Sequence, residues 1–251
     1  MAIPLGFGGR DYPDFGVSGL ANTKVTITDM SELAVRLGSI SRFDRSGIII
    51  FEEAFKHGIG RWVQNSTPAD AYVVPVSDYY SLVPYSALLA TTSDLNSYSG
   101  ISTYLPIPYV SPMGFEWHCK FRDEVELFYM WVQVHTGDCQ YRVVVRIDIE
   151  DTIVDICNKG GTYDPVYTKA LRYGVNSPFH AMKVVVDFLN ETYVRLVVDG
   201  VDIDLTGRSI FKDAEDDESP HLFLYFSNNP GPSTLNRVYL DNIIITMDEP
   251  T

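Results

Sequence analysis

The hexapeptide from Arg146 to Asp151, RIDIED, is the part of this sequence best suited to acid–base chemistry. In an extended strand alternate side chains share a face, so Arg146, Asp148 and Glu150 would stand together. Carboxylates held that way could cleave a glycosidic bond, one protonating the leaving group while the other attacks or activates water. Arg146 beside Asp148 and Glu150 predicts an ion pair in place of a free carboxylate pair. The stretch is therefore expected to be a solvent-facing charged strand, and no catalytic residue is assigned.

Other chemistry-bearing residues are scattered. Lys212–Pro220, KDAEDDESP, is rich in acids but lacks the glycine turn and alternating aspartates of an EF-hand, which predicts a solvated loop. The five histidines form no HxH, HExxH or Cys/His zinc pattern. No GxSxG elbow or phosphate-cradling glycine loop occurs. The aromatics carry more weight. Tyr79, Tyr80, Tyr85, Tyr98, Tyr104 and Tyr109 fall in a Pro/Ser-rich region, 77–112, read as a long loop or edge segment. Exposed rings there could stack on the flat apolar faces of pyranose sugars, or simply pack across one end of the fold. Trp62, Trp117 and Trp131 sit inside apolar strand patterns and are expected in the core.

The elements that would position these residues read almost entirely as strands. Val, Ile, Thr, Tyr and Phe dominate the long runs. From Gly47 onward, candidate strands cover 48–55, 61–64, 71–76, 86–91, 113–121, 124–135, 139–149, 152–157, 179–188, 191–199, 201–205, 221–227 and 236–247. Turn residues such as HGIG, HTGD, NKGG and VDG separate them. In YRVVVRIDIED, Val143, Val145, Ile147 and Ile149 fall on one face and Arg142, Arg146, Asp148 and Glu150 on the other. Many short strands without βαβ alternation imply an all-β, antiparallel jelly-roll sandwich over 47–251. Residues 1–46 differ: a Gly/Pro-rich arm, a possible short strand at TKVTIT, and one short helix in SELAVRLGSI, capped by Asp29 or Ser31 and ended by Gly38. These are too few to form a core, so they are expected to dock on the body or on another chain.

The run Phe179–Leu205, FHAMKVVVDFLNETYVRLVVDGVDIDL, resembles the paired strands of concanavalin A-like, laminin-G-type jelly rolls. IIIFEEAFKHGIGRWV and RVYLDNIIIT resemble the first and last strands of such sandwiches, where the terminal strands lie close together. The resemblance covers roughly residues 47–247 and specifies fold better than function, because these sandwiches host lectins, hydrolases, adhesion modules and virion proteins. Glucanases of this type carry E-x-D-x-E on a central strand; here Arg146 occupies the leading position, which argues against hydrolysis. In related carbohydrate-binding jelly rolls, acids of the first strand and an aspartate of the last bind a structural Ca²⁺. The resemblance therefore implies Glu52, Glu53 and Asp241 as a candidate calcium set.

A net charge of −14 disfavours nucleic acid and anionic membranes as partners. No window approaches a transmembrane span, and the N-terminus lacks the basic and apolar regions of a Sec signal. Cys119, Cys139 and Cys157, an odd number without CxxC spacing, are expected to be free thiols. Together these features favour a non-catalytic assembly protein, most concretely a phage virion surface or tail protein that oligomerises through its arm. Such a protein would reach a virion or extracellular surface without a Sec signal. A carbohydrate-binding module or adhesin using the six tyrosines is the alternative, and a glycoside hydrolase a minor one.

Overall fold

The alternation in YRVVVRIDIED is realised as drawn. In the computed structural model of the chain, β8 (Gln140–Asp148) buries Val143, Val145 and Ile147, while Arg142, Arg146 and Asp148 are half-buried on its other face. The structure describes residues 47–251 apart from 68–69, 82–83, 95, 108, 124, 215–217 and 230–234. The arm, TKVTIT strand and short helix expected in residues 1–46 lie outside the described residues.

Among the described residues, sixteen strands form two sheets, and all strand pairings within them are antiparallel. No helix occurs among the described residues. Sheet I runs β13 (Val201–Asp204), β12 (Thr192–Val198), β11 (His180–Asp187), β6 (Pro112–Phe121), β16 (Leu235–Met247), β4 (Ser86–Thr92) and β3 (Tyr72–Val76). Beside β16 lies β1 (Ile48–Glu53). Sheet II runs β10 (Tyr163–Thr168), β9 (Ile153–Cys157), β8, β7 (Leu127–His135), β15 (His221–Asn228), β5 (Tyr98–Leu105) and β2 (Val63–Thr67). Beside β8 lies β14 (Phe211–Asp213).

Period-two patterning drives the sheets together. Phe128, Met130, Val132 and Val134 of β7 and Leu222, Leu224 and Phe226 of β15 point inward from sheet II. Phe115, Trp117 and Cys119 of β6 and Met182, Val184 and Val186 of β11 belong to the same core. Burying such side chains contributes about 1.5–3 kcal/mol each. Trp62 joins this core against Phe51, Phe55 and Phe226, with ring centres 6.0–6.4 Å apart. Trp131 does not: it lies half-buried on the outer face of sheet II, because its neighbours Met130 and Val132 take the inward positions. The thiols are free, with Cys119 and Cys157 buried and Cys139 partly so.

The terminal strands do lie together, β1 pairing with β16 from Ile48↔Met247 to Glu53↔Ile243. The Asp-Gly hairpin also forms: Asp199 and Gly200 have φ of 51° and 84°, and Val198 pairs with Val201. Three strands, β5, β10 and β14, were not expected. The correction at β5 matters most, since part of the region 77–112, read as a long loop or edge segment, is an interior strand between β15 and β2. Its Gly100 resembles a loop residue, yet it suits a strand whose outer face must leave room for the Tyr225 ring.

Asp199 also ties its hairpin to the sheet. Its carboxylate pairs with His180 Nδ1 at 2.7 Å and accepts the Ala181 N–H at 3.0 Å. Burial works to raise its pKa, but the His180 hydrogen bond and charge, aided by the Ala181 N–H, outweigh burial and hold it below the usual carboxylate range. A depressed carboxyl stabilises the fold above its unfolded pKa of about 3.9 and loses that contribution as pH falls through the folded value. Acid unfolding followed by circular dichroism should therefore show a smaller loss of stability below about pH 4 in Asp199→Asn than in the parent.

Candidate binding groove

The outer face of sheet II gathers the aromatic side chains that alternation sends away from the core. Tyr129, Trp131 and Gln133 of β7 stand opposite Ser227, Tyr225 and Phe223 of β15. Tyr98 of β5, Asn65 of β2, Tyr163 of β10 and Asn229 complete a groove of about 580 Å³. The Phe223 and Tyr225 rings lie within 21° of parallel, with centres 6.2 Å apart. Tyr104, 61% exposed, extends this surface by packing 5.0 Å from Phe223.

Gly100 of β5 makes the arrangement sterically possible. A Cβ there would come within 2.6 Å of Tyr225 Cε2 and 2.7 Å of its hydroxyl. The tyrosine thus lies over bare backbone. Gly100→Ala should force the ring away at a cost of about 1–3 kcal/mol, measurable by chemical denaturation, and should weaken any ligand held by Tyr225.

Two arginines brace the rings. The Arg142 guanidinium lies 5.0 Å from the Trp131 ring centre and 4.5 Å from that of Phe211. Arg146 lies 4.4 Å from the Tyr163 ring centre, and both its Nε and Nη2 donate to Asp155 Oδ2, the former at 2.7 Å. Burial raises the pKa of Tyr129, Tyr163 and Tyr225, so all three hydroxyls stay protonated at neutral pH and can donate as well as accept. The remaining polar lining, Asn65, Gln133, Ser227 and Asn229, is uncharged. Flat apolar rings beside neutral donors and acceptors suit a polyhydroxylated ligand with both apolar and polar faces.

No family model and no curated protein sequence matches the chain. Solved structures do match its fold. An endo-β-1,4-glucuronan lyase from the fungus Trichoderma reesei aligns with a TM-score of 0.53 at 10% identity, over 79% of this chain and 95% of that one. A Bacillus subtilis protein described as having a galectin-like fold aligns at 0.51 and 9% identity, over 81% and 97%. A sialidase aligns at 0.51 and 11% identity over 79% of this chain, which spans only 18% of the sialidase. The chain has the jelly-roll sandwich fold of these structures.

The jelly roll distributes the six candidate tyrosines over separate regions. Only Tyr98 lines the groove, and Tyr104 extends it. Tyr79, Tyr80 and Tyr85 belong to the β3–β4 connection of sheet I, where Tyr79 packs 4.8 Å from Tyr239. Tyr109 donates to Asp248 at 2.6 Å. Tyr129, Trp131, Phe223 and Tyr225 escaped the sequence reading because LFYMWVQVH and HLFLYFSN are apolar on both faces, and Tyr163 because its strand, β10, was not expected.

Arg146 has a different partner from the one expected. It pairs with Asp155 on β9, directly across from it in the ladder, and not with Asp148 or Glu150. The Asp148 carboxylate instead accepts the Asp151 N–H at 2.9 Å in the following turn, where Glu150 is exposed. Among the described residues lining the groove there is no carboxylate.

Glu52, Glu53 and Asp241 do not appear among the described residues as a group with all ligand atoms within 4.8 Å of one another. Glu53 accepts the Phe55 N–H at 2.7 Å, and Asp241 accepts from Ser81 N and Asn242 N, each at 2.8 Å. Glu53 pairs with Ile243, and the ladder between β16 and β6 is irregular between Asp241 and Ile244, with Asn242 at φ 46°. Among the described residues, the three-membered His/Cys/Asp/Glu group with ligand atoms mutually within 4.8 Å is His135, Glu218 and His221.

Proposed function

We propose that this chain is a non-catalytic carbohydrate-binding module that takes a neutral glycan in the aromatic groove of sheet II. The observation that carries this reading is the convergence of Tyr98, Tyr129, Trp131, Tyr163, Phe223 and Tyr225 with uncharged polar side chains in one hollow. Rings supply apolar faces for sugar C–H groups, while the amides and hydroxyls answer ring hydroxyls. The groove lacks the two carboxylates that glycoside hydrolysis uses among its described lining residues, and Arg146 is committed to Asp155.

The named structural neighbours add support of a general kind, since a glucuronan lyase and a sialidase bear names of glycan-active enzymes. None of the three neighbours is named as a virion component. The docking arm of the assembly reading, residues 1–46, lies outside the described residues, and the groove favours the glycan reading over it.

Affinity electrophoresis of the full chain through gels containing single soluble polysaccharides tests the proposal. Retardation by at least one neutral polysaccharide, with no new reducing ends after prolonged incubation, is the expected result. Migration unchanged in every neutral polysaccharide would refute glycan binding. Release of reducing ends would make the chain an enzyme instead.

A further inference from the structure

Beyond the aromatic groove, the same sheet face carries a histidine pair that packing alone does not account for. His135 of β7 and His221 of β15 are cross-strand partners, with rings 4.3 Å apart and 11° from parallel. Each sits two residues from a groove residue on its own strand, Gln133 and Phe223 respectively. Glu218, two-thirds exposed in the preceding loop, reaches to 3.6 Å from His221 Nε2. Ligand atoms of His135, Glu218 and His221 all lie within 4.8 Å of one another.

The state of His221 points to a metal. Its Nδ1 is 2.7 Å from the Ser219 carbonyl, so that nitrogen carries the proton and donates. Its Nε2 is then the lone-pair nitrogen; it is buried and makes no hydrogen bond. A ring held by a carbonyl at one nitrogen, with the other bare, is the arrangement by which proteins orient a ligating histidine. On the neighbouring ring, His135 Nε2 lies 3.2 Å from the Gln140 side-chain amide nitrogen, a contact that metal ligation through Nε2 would replace.

We propose that His135, Glu218 and His221 bind a divalent transition-metal ion of the zinc type at the end of the groove. Two imidazoles and one carboxylate match zinc's preference, whereas calcium and magnesium favour sets made of oxygen alone. A tetrahedral zinc ion spaces its ligand atoms about 3.4 Å apart, so the His221–Glu218 distance is already near that value. The third ligand atom lies within 4.8 Å of the other two, and the Glu218 side chain is 63% exposed. Three protein ligands leave a fourth position open to water or a hydroxyl. This proposal stands apart from the glycan reading, because it follows from the three ligands and would hold if no sugar bound.

The test uses the full chain with any affinity tag removed and treated with chelator. Titration with zinc alone by calorimetry should give one site per chain, and cobalt(II) should give the intense visible bands of a tetrahedral ion. His221→Ala should abolish the cobalt bands, and Glu218→Gln, at an exposed position that leaves folding intact, should weaken zinc at least tenfold. Calcium should not displace cobalt. Absence of zinc binding by the parent chain, or undiminished zinc binding and unaltered cobalt bands in both variants, would overturn the assignment.

Discussion

Trp131→Ala should remove polysaccharide retardation while leaving the folded sandwich intact. Trp131 sits at the centre of the groove, opposite Tyr225 in the ladder and two residues from both Tyr129 and Gln133. Central aromatic anchors contribute about 2 kcal/mol or more to binding, which is roughly thirtyfold in affinity. Stability should change little, because the indole belongs to the outer face and not to the inter-sheet core. The contrast with Trp117→Ala sharpens the test. Trp117 is fully buried in the core, and its removal should cost about 3–5 kcal/mol of stability. Denaturant midpoints and electrophoretic retardation measured on both variants separate binding from folding. Retention of full binding by a folded Trp131→Ala protein would move the ligand away from this groove.

Glu249→Ala should destabilise the fold by about 3–5 kcal/mol. After β16 the chain turns back, and the Glu249 N–H donates to Pro112 O at 3.2 Å. The Glu249 carboxylate then meets Lys183 Nζ at 2.7 Å and accepts from Thr246 Oγ1. The side chains of Lys183 and Glu249 are 2% and 0% exposed. Gly114 leaves the space for them, since a Cβ there would lie 2.7 Å from Glu249 Oε1. Removing the carboxylate strands a buried ammonium group, and that desolvation penalty sets the size of the effect. Adding Lys183→Met to Glu249→Ala should recover much of the loss, because the stranded charge goes with it. Equilibrium urea unfolding of the single and double variants measures both effects, and a Glu249→Ala midpoint equal to the parent's would contradict the argument.

Strands with one polar face were legible residue by residue. YRVVVRIDIED declared which side of β8 is buried, and the Asp199-Gly200 dipeptide declared its hairpin. Strands whose composition departs from that pattern were not. YSGISTYL looked like a loop or edge segment, and its Gly100 is dictated by the Tyr225 ring, a residue distant in sequence. Trp131 looked like core because LFYMWVQVH is apolar on both faces, and local pattern carries no sign of which face meets the other sheet.

The candidate sites divide along the same line. Antiparallel jelly-roll architecture follows from period-two patterning and turn chemistry, both of which are local and therefore written into short stretches of chain. The groove depends on register between β7, β15, β5, β2 and β10, strands far apart in sequence whose order no local pattern specifies. The same holds for His135 beside His221 and for Arg146 meeting Asp155 in place of Asp148 or Glu150. Residue types announced that sugars or metals could be bound. Cross-strand pairing decided which of those residues stand together, because contact between distant segments exists only once the sheets have formed.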